Sequence, residues 1–256
     1  MRPPNETGAM ASGNRRDAAL ADCTCIVTGA SSGIGRAIGA ALSSTGANVC
    51  AVARRAGELE AMAAHAHGPG SVTPYPADLS DDNNITALAT TIRQREGGAD
   101  VLVHSAGTIS MGPLETAPVA DLDRQYRANV RGPYLLTQAL LPLLRASRGQ
   151  IIFINSTAVL APRADVGQYA STKHALRAIA DALREEVNPD GIRVASVYPG
   201  RTATPLQARV HASEGRAYAP ERLLQPDDVA DVVLSILTLA RSAEVTDVNV
   251  RPMVKP

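Results

Sequence analysis

Five residues carry the strongest chemical signal in the chain: Tyr169-Ala170-Ser171-Thr172-Lys173. They open an amphipathic stretch that predicts a helix over residues 168–186, and residues four apart share one face of a helix. The Tyr169 phenol and the Lys173 ammonium can therefore reach the same bound molecule. A phenol ordinarily titrates near 10, and a neighbouring ammonium favours the phenolate. Such a pair can hand a proton to a carbonyl oxygen or take one from an alcohol. Tyr-x-x-x-Lys alone is a frequent coincidence. Here it gains weight because basic residues are nearly all arginine, the only lysines being Lys173 and Lys255. It also has company in Ser156, which stands 13 residues before Tyr169 in Asn155-Ser156-Thr157.

The elements that must position these residues are legible as alternating periods. Short, wholly apolar, β-branched runs at 25–27, 49–52, 101–103, 151–154 and 194–197 read as strands buried on both faces. Residues 71–75 are a weaker strand, and 245–250 a last one. Amphipathic stretches at 81–95, 121–145, 168–186 and 227–239 read as helices between them. This alternation predicts an α/β fold with one doubly wound, mostly parallel sheet and helices on both faces. Ligands of such sheets bind beyond the carboxyl ends of the strands, where Ser156 falls. Residues 1–20 read as a disordered leader, an extended start or a remnant, with Met10 as an alternative start. Residues 21–256 read as a single domain.

Between the first strand and a helix stands Thr28-Gly29-Ala30-Ser31-Ser32-Gly33-Ile34-Gly35-Arg36. Glycines here permit a tight turn and close approach of backbone to a pyrophosphate, which helix N-terminal amides then face. The spacing Thr-Gly-x-x-x-Gly-x-Gly, joined to Ser156, Tyr169 and Lys173, resembles the short-chain dehydrogenase/reductase family in its short single-domain branch. The resemblance runs from about residue 22 to about residue 236 and implies a Rossmann fold. It makes Gly29, Ser31, Ser32, Gly33, Ile34 and Gly35 cofactor contacts. It implies that Ser156 orients and polarises the substrate oxygen, with Thr157 as a weaker substitute. Asn129, 40 residues before Tyr169, matches the helix asparagine that holds a relay water for the lysine. Lys173 would bind the nicotinamide ribose and, with an oxidised nicotinamide ring, lower the Tyr169 pKa. Tyr169 and Lys173 are thus both catalytic and cofactor-contacting.

The second strand ends Val52-Ala53-Arg54-Arg55, without the carboxylate that binds the ribose 2′-hydroxyl in NAD enzymes. A guanidinium pairs with a 2′-phosphate, so the pattern implies NADP(H). Arg54 is the first choice of ligand, Arg55 and Arg36 the second. Asp78-Leu79 matches the adenine-edge position after the third strand, and Asp78 could also be the N-cap of the next helix. Where the family usually has Asn-Asn-Ala-Gly, this chain has His104-Ser105-Ala106-Gly107. Ala106 and Gly107 keep the close approach to cofactor, and His104 is read as structural or cofactor-contacting. Pro199, Gly200, Thr202 and Thr204 resemble the nicotinamide-side loop. Residues 205–225 are read as an irregular, mobile lid. Arg163, Gln168 and Arg201 are either polar contacts near the pocket or solvated.

The remaining numbers exclude rather than assign. With 45% apolar residues the chain can bury a sizeable core, and its formal net charge of zero offers no case for nucleic acid. No apolar run reaches membrane-spanning length. Cys23, Cys25 and Cys50 lack framework spacing, which predicts reduced thiols in a cytoplasmic protein. Neither Cys23-Thr24-Cys25 nor His65-Ala66-His67 completes a metal site. The expected activity is NADP(H)-dependent interconversion of a small-molecule carbonyl and an alcohol, run as a ketoreductase. Two rivals are a catalytically inactive NADP(H)-binding regulator and an epimerase or dehydratase on the same fold. A homotetramer or homodimer is implied by resemblance alone.

Overall fold

The computed structural model describes residues 20–254. The expected leader falls on residues 1–19, outside the described residues, whereas Leu20 is buried in the core. Seven strands form one parallel sheet: β1 (Thr24–Thr28), β2 (Asn48–Ala53), β3 (Ser71–Pro76), β4 (Val101–His104), β5 (Gln150–Ile154), β6 (Arg193–Pro199) and β7 (Asp247–Val250). Their order is β3-β2-β1-β4-β5-β6-β7. It reverses direction between β1 and β4, which opens a crevice at the carboxyl ends of those strands. The weak strand at 71–75 lies at the edge, where Pro74 and Pro76 remove no interior ladder bond.

Strand side chains alternate between two cores, as the period of two requires. Cys25 and Val27 face one, packed under α1 (Gly33–Ser44), α2 (Ala56–Ala64) and α8 (Pro226–Leu237). Ile26, Leu102 and Phe153 face the other, under α3 (Asp82–Arg95), α5 (Gly132–Ser147) and α6 (Gly167–Val187). The doubly wound expectation therefore holds.

Two segments depart from the sequence reading. The helix expected over 121–145 is split: α4 (Val119–Tyr126) passes through a π turn (Arg127–Arg131) before α5 begins. The supposed lid at 205–225 is ordered at its start as α7 (Pro205–Ser213), with a short 3₁₀ turn at Pro220–Arg222. Pro205 sits in the first turn, where its missing N–H costs nothing, and the Thr204 hydroxyl caps the helix from Gln207 N at 3.1 Å. A proline-rich composition hid a helix whose start signals are those same residues.

Candidate active site

Four strand ends and one helix face converge on a single crevice. β1 runs into the glycine turn. Gly29 has φ +71° there, and a Cβ on it would stand 2.8 Å from Ala106 N. Gly33 has φ +56° and lies directly beneath Thr204, whose Cγ2 would be 2.8 Å from such a Cβ. The loop after β6 thus closes onto the turn after β1. Helix α1 begins at Gly33 with no side-chain cap from Ser32 and no acidic residue in its first turn. Its leading amides are left to an anionic ligand, with no carboxylate to repel one. These observations fit a dinucleotide pyrophosphate.

Thr28 is the residue that sequence reasoning passed over. Its buried hydroxyl donates to Val103 O at 3.2 Å and accepts from Ser105 N at 3.0 Å and Ala106 N at 3.1 Å. It pins the β4 loop over the glycine turn. Its place at the head of the glycine motif was the available signal. Thr28→Val keeps the shape but strands two amides. The expected cost is about 2 kcal/mol in a denaturant titration, with weaker NADPH binding in parallel. An unchanged unfolding midpoint would show the pin to be dispensable.

At the end of β2, Arg54 and Arg55 are both exposed. Arg55 already has partners: its guanidinium donates to Ser31 Oγ at 3.0 Å and pairs with Glu58 at 3.6 Å. No hydrogen bond or ion pair engages the Arg54 side chain among the described residues. Asp78 is not the cap of α3. It accepts from Ser80 N and Ser80 Oγ at 2.9 and 2.7 Å, while Asp81 caps the helix from Asn84 N. Leu79 is buried, its carbonyl against Gly132.

For His104 the geometry fits the structural alternative. The imidazole is 1% exposed, stacked on Phe153 at 4.9 Å and bonded through Nε2 to Thr137 Oγ1 at 2.7 Å. Burial, reinforced by Lys173, pushes its pKa down to about 3, so it is neutral. Its ring belongs to the packing between β4 and α5.

The candidate catalytic residues lie where β5 ends and α6 begins. Ser156 follows β5, and its hydroxyl accepts from Ala158 N at 3.1 Å. The same hydroxyl acts on the Tyr169 phenol and opposes the upward push that burial gives it. Burial is the larger influence, and the net direction is upward. Lys173 Nζ donates to Ile154 O at 3.0 Å and lies 5.9 Å from the centre of the tyrosine ring. Burial pushes Lys173 down to about 8. Asn155, not anticipated, donates to Lys173 O at 3.3 Å and so ties β5 to α6.

Asn129 sits fully buried in the π turn. Its Oδ1 accepts from Thr108 N at 2.8 Å, and its Nδ2 donates to Thr108 O at 2.9 Å and Thr172 Oγ1 at 3.0 Å. Both amide protons are thus committed to fixing the loop after β4 against α6. Gly107 lies between them: a Cβ there would meet Asn129 Oδ1 at 3.3 Å and Lys173 Nζ at 3.9 Å. Asn129, Gly107, Lys173, Tyr169 and Ser156 therefore form one continuous wall. Gln168 does not face this wall. It is buried, receiving a bond from Gln125 and donating to Pro118 O, which joins α4 to α6. Of the remaining loop residues, Pro199 and Thr202 are buried, Thr202 donates to Gly200 O at 3.1 Å, and Gly200 is half-buried. Ser31 is buried, Ser32 is half-buried, and Ile34 is half-buried and packed against the core.

A family model described as short chain dehydrogenase matches residues 24–215. An uncharacterized oxidoreductase of Staphylococcus epidermidis is 32% identical over 229 residues, covering 89% of this chain and 96% of that protein. Among solved structures, a metagenomic short-chain oxidoreductase in complex with NADP is 35% identical, with a TM-score of 0.79 over 93% of this chain and 100% of that one. A 3-ketoacyl-(acyl-carrier-protein) reductase from Brucella melitensis complexed with NADH is 27% identical, with a TM-score of 0.78 over 90% and 97%.

Proposed function

Because the chain belongs to the short chain dehydrogenase family, an oxidoreductase family using nicotinamide cofactors, we propose that it interconverts a ketone or aldehyde and the corresponding alcohol with NADP(H), working as a ketoreductase. The observation that carries this reading is Tyr169 with Lys173 Nζ 5.9 Å from its ring centre and the Ser156 hydroxyl near enough to act on its phenol, at the mouth of the nucleotide crevice. When bound, the nicotinamide supplies or accepts the hydride. Burial keeps the Tyr169 phenol protonated at neutral pH, so it can donate to the carbonyl oxygen as charge develops there. The Ser156 hydroxyl holds that oxygen and polarises the carbonyl. Lys173, largely cationic at neutral pH, steadies the phenolate left after the transfer. Asn129 holds the loop and helix that frame these groups. Any part it plays in a relay falls to its main chain, since its amide protons are in use.

Arg54 is the proposed 2′-phosphate ligand, with Arg55 bracing the turn. The test is oxidation of NADPH and of NADH across a panel of ketones and aldehydes. NADPH should be preferred, and the preference should shrink in Arg54→Gln. NADPH binding without turnover of any carbonyl would favour the regulatory reading instead. By the same reading the protein is a cytoplasmic homotetramer or homodimer, which light scattering would size.

A pH profile checks the role of Lys173. The ammonium loses its proton as pH rises through about 8. The kcat for reduction is expected to fall across that range, while Tyr169 is still protonated. A flat profile from about pH 7 to about pH 10 would show that the ammonium charge is not required.

A further inference from the structure

The rim of the crevice is built from three loops that touch one another. Ser213, at the end of α7, reaches Met111 Sδ at 3.5 Å, and Gly112 N donates to Asp165 O at 2.8 Å. An unusual charge arrangement sits on this rim. The Glu214 carboxylate accepts from Arg201 at 2.6 Å, with the two side chains only 15% and 13% exposed. Arg216 stands 3.7 Å from the other carboxylate oxygen. Arg201 also reaches His211 Nε2 at 3.5 Å, and His211 is held in turn by Gln207. The carboxyl of Glu214 is held below its usual range by the Arg201 hydrogen bond first, with Arg163 and Arg216 adding to it. Three guanidiniums thus act on one carboxylate, which leaves excess positive charge at that point.

Arg163 is the one of the three with room to act. It is exposed, and no hydrogen bond or ion pair engages its side chain among the described residues. It lies on the segment joining Ser156 to Tyr169, the two groups that would hold the reacting oxygen. Arg201 is a fixed platform by contrast, already held by Glu214 and close to His211.

We propose that this rim selects carbonyl compounds bearing a carboxylate, with Arg163 as its receiving guanidinium and the Arg201–Glu214 pair as the frame that holds α7 beside it. The inference rests on the hydride-transfer reading above. A planar fork of donors matches a carboxylate, and the surplus charge steers an anion inward in a salt-dependent way. A neutral ester of the same shape gains neither effect.

The test uses matched pairs, each an oxo acid and its methyl ester, with the carboxyl group at increasing distance from the ketone. For at least one pair, kcat/KM with NADPH should favour the acid about tenfold, equivalent to about 1.4 kcal/mol. Arg163→Gln should compress the acid-to-ester ratio toward one, and added salt should do the same. Esters equal to or better than acids throughout, or a ratio untouched by Arg163→Gln, would overturn the inference and leave hydride transfer standing. If no pair consumes NADPH, the hydride-transfer reading itself fails. Calorimetric titration of the NADP-loaded protein with a hydroxy acid and its ester then decides the anion site alone. Tighter binding of the acid, lost in Arg163→Gln, supports it, and equal binding overturns it.

Discussion

Tyr169→Phe is expected to lower kcat for carbonyl reduction by about 10³-fold or more, while NADPH affinity stays within about twofold. General acid catalysis by a placed side chain contributes roughly 10²–10⁴-fold, and this buried phenol, under the influence of the Ser156 hydroxyl, is the group placed to give the proton. The ring makes its packing contacts without its hydroxyl, so the fold should be unaffected. Lys173 Nζ keeps its bond to Ile154 O, because that bond does not involve the phenol. Stopped-flow measurement of single-turnover NADPH oxidation separates the loss of chemistry from any loss of binding. Turnover retained within tenfold of the parent would remove Tyr169 from the proton-donor role, and the proposed mechanism with it.

The second large effect is structural. Gly29→Val should weaken NADPH binding by about 100-fold, or about 2.7 kcal/mol, and lower the melting temperature by about 10 °C. Two costs add. A left-handed φ of +71° is worth roughly 1–2 kcal/mol against any residue with a Cβ, and more against a β-branched one. The Cβ also meets Ala106 N at 2.8 Å, Ala106 Cα at 2.9 Å and Ser105 C at 3.0 Å. All three are backbone atoms, held in place by Thr28, so the neighbour cannot rotate away. The glycine turn or the β4 loop must shift, and both border the nucleotide crevice. Gly57 is the control: a Cβ there meets nothing within 4 Å, and it lies inside α2. Gly57→Ala should leave cofactor binding unchanged and raise stability by about 0.5–1 kcal/mol. Equal behaviour of the two variants would show that the turn tolerates a side chain and that the close approach is not limiting.

Much of this architecture was readable from local pattern. The strands at 25–27, 101–103 and 151–154 are apolar at every position because both faces of a parallel sheet are covered. The glycine turn was readable because left-handed backbone and close packing both demand a missing Cβ. The clustering of Ser156, Tyr169 and Lys173 followed from a strand end and a helix start, two local features joined by one short segment. The missed helix α7 had its signals too, in the Thr204 cap and Pro205, but the surrounding prolines and glycines outweighed them.

The sheet, the turn after β1 and the spacing of the groups that can move a proton are written in local sequence. Each of these depends on residues a few positions apart, where backbone geometry dictates the outcome. What the buried polar side chains do is settled by packing between distant elements. Thr28 finds its partners 77 and 78 residues away, His104 finds Thr137 33 residues away, and Asn129 clamps Thr108 from 21 residues away. A buried donor or acceptor must be paired, but the pairing rule does not say with which residue. That choice is made only when the elements pack. For the same reason His104 turned inward to Phe153, and Arg201 was bound by Glu214 rather than left in solvent.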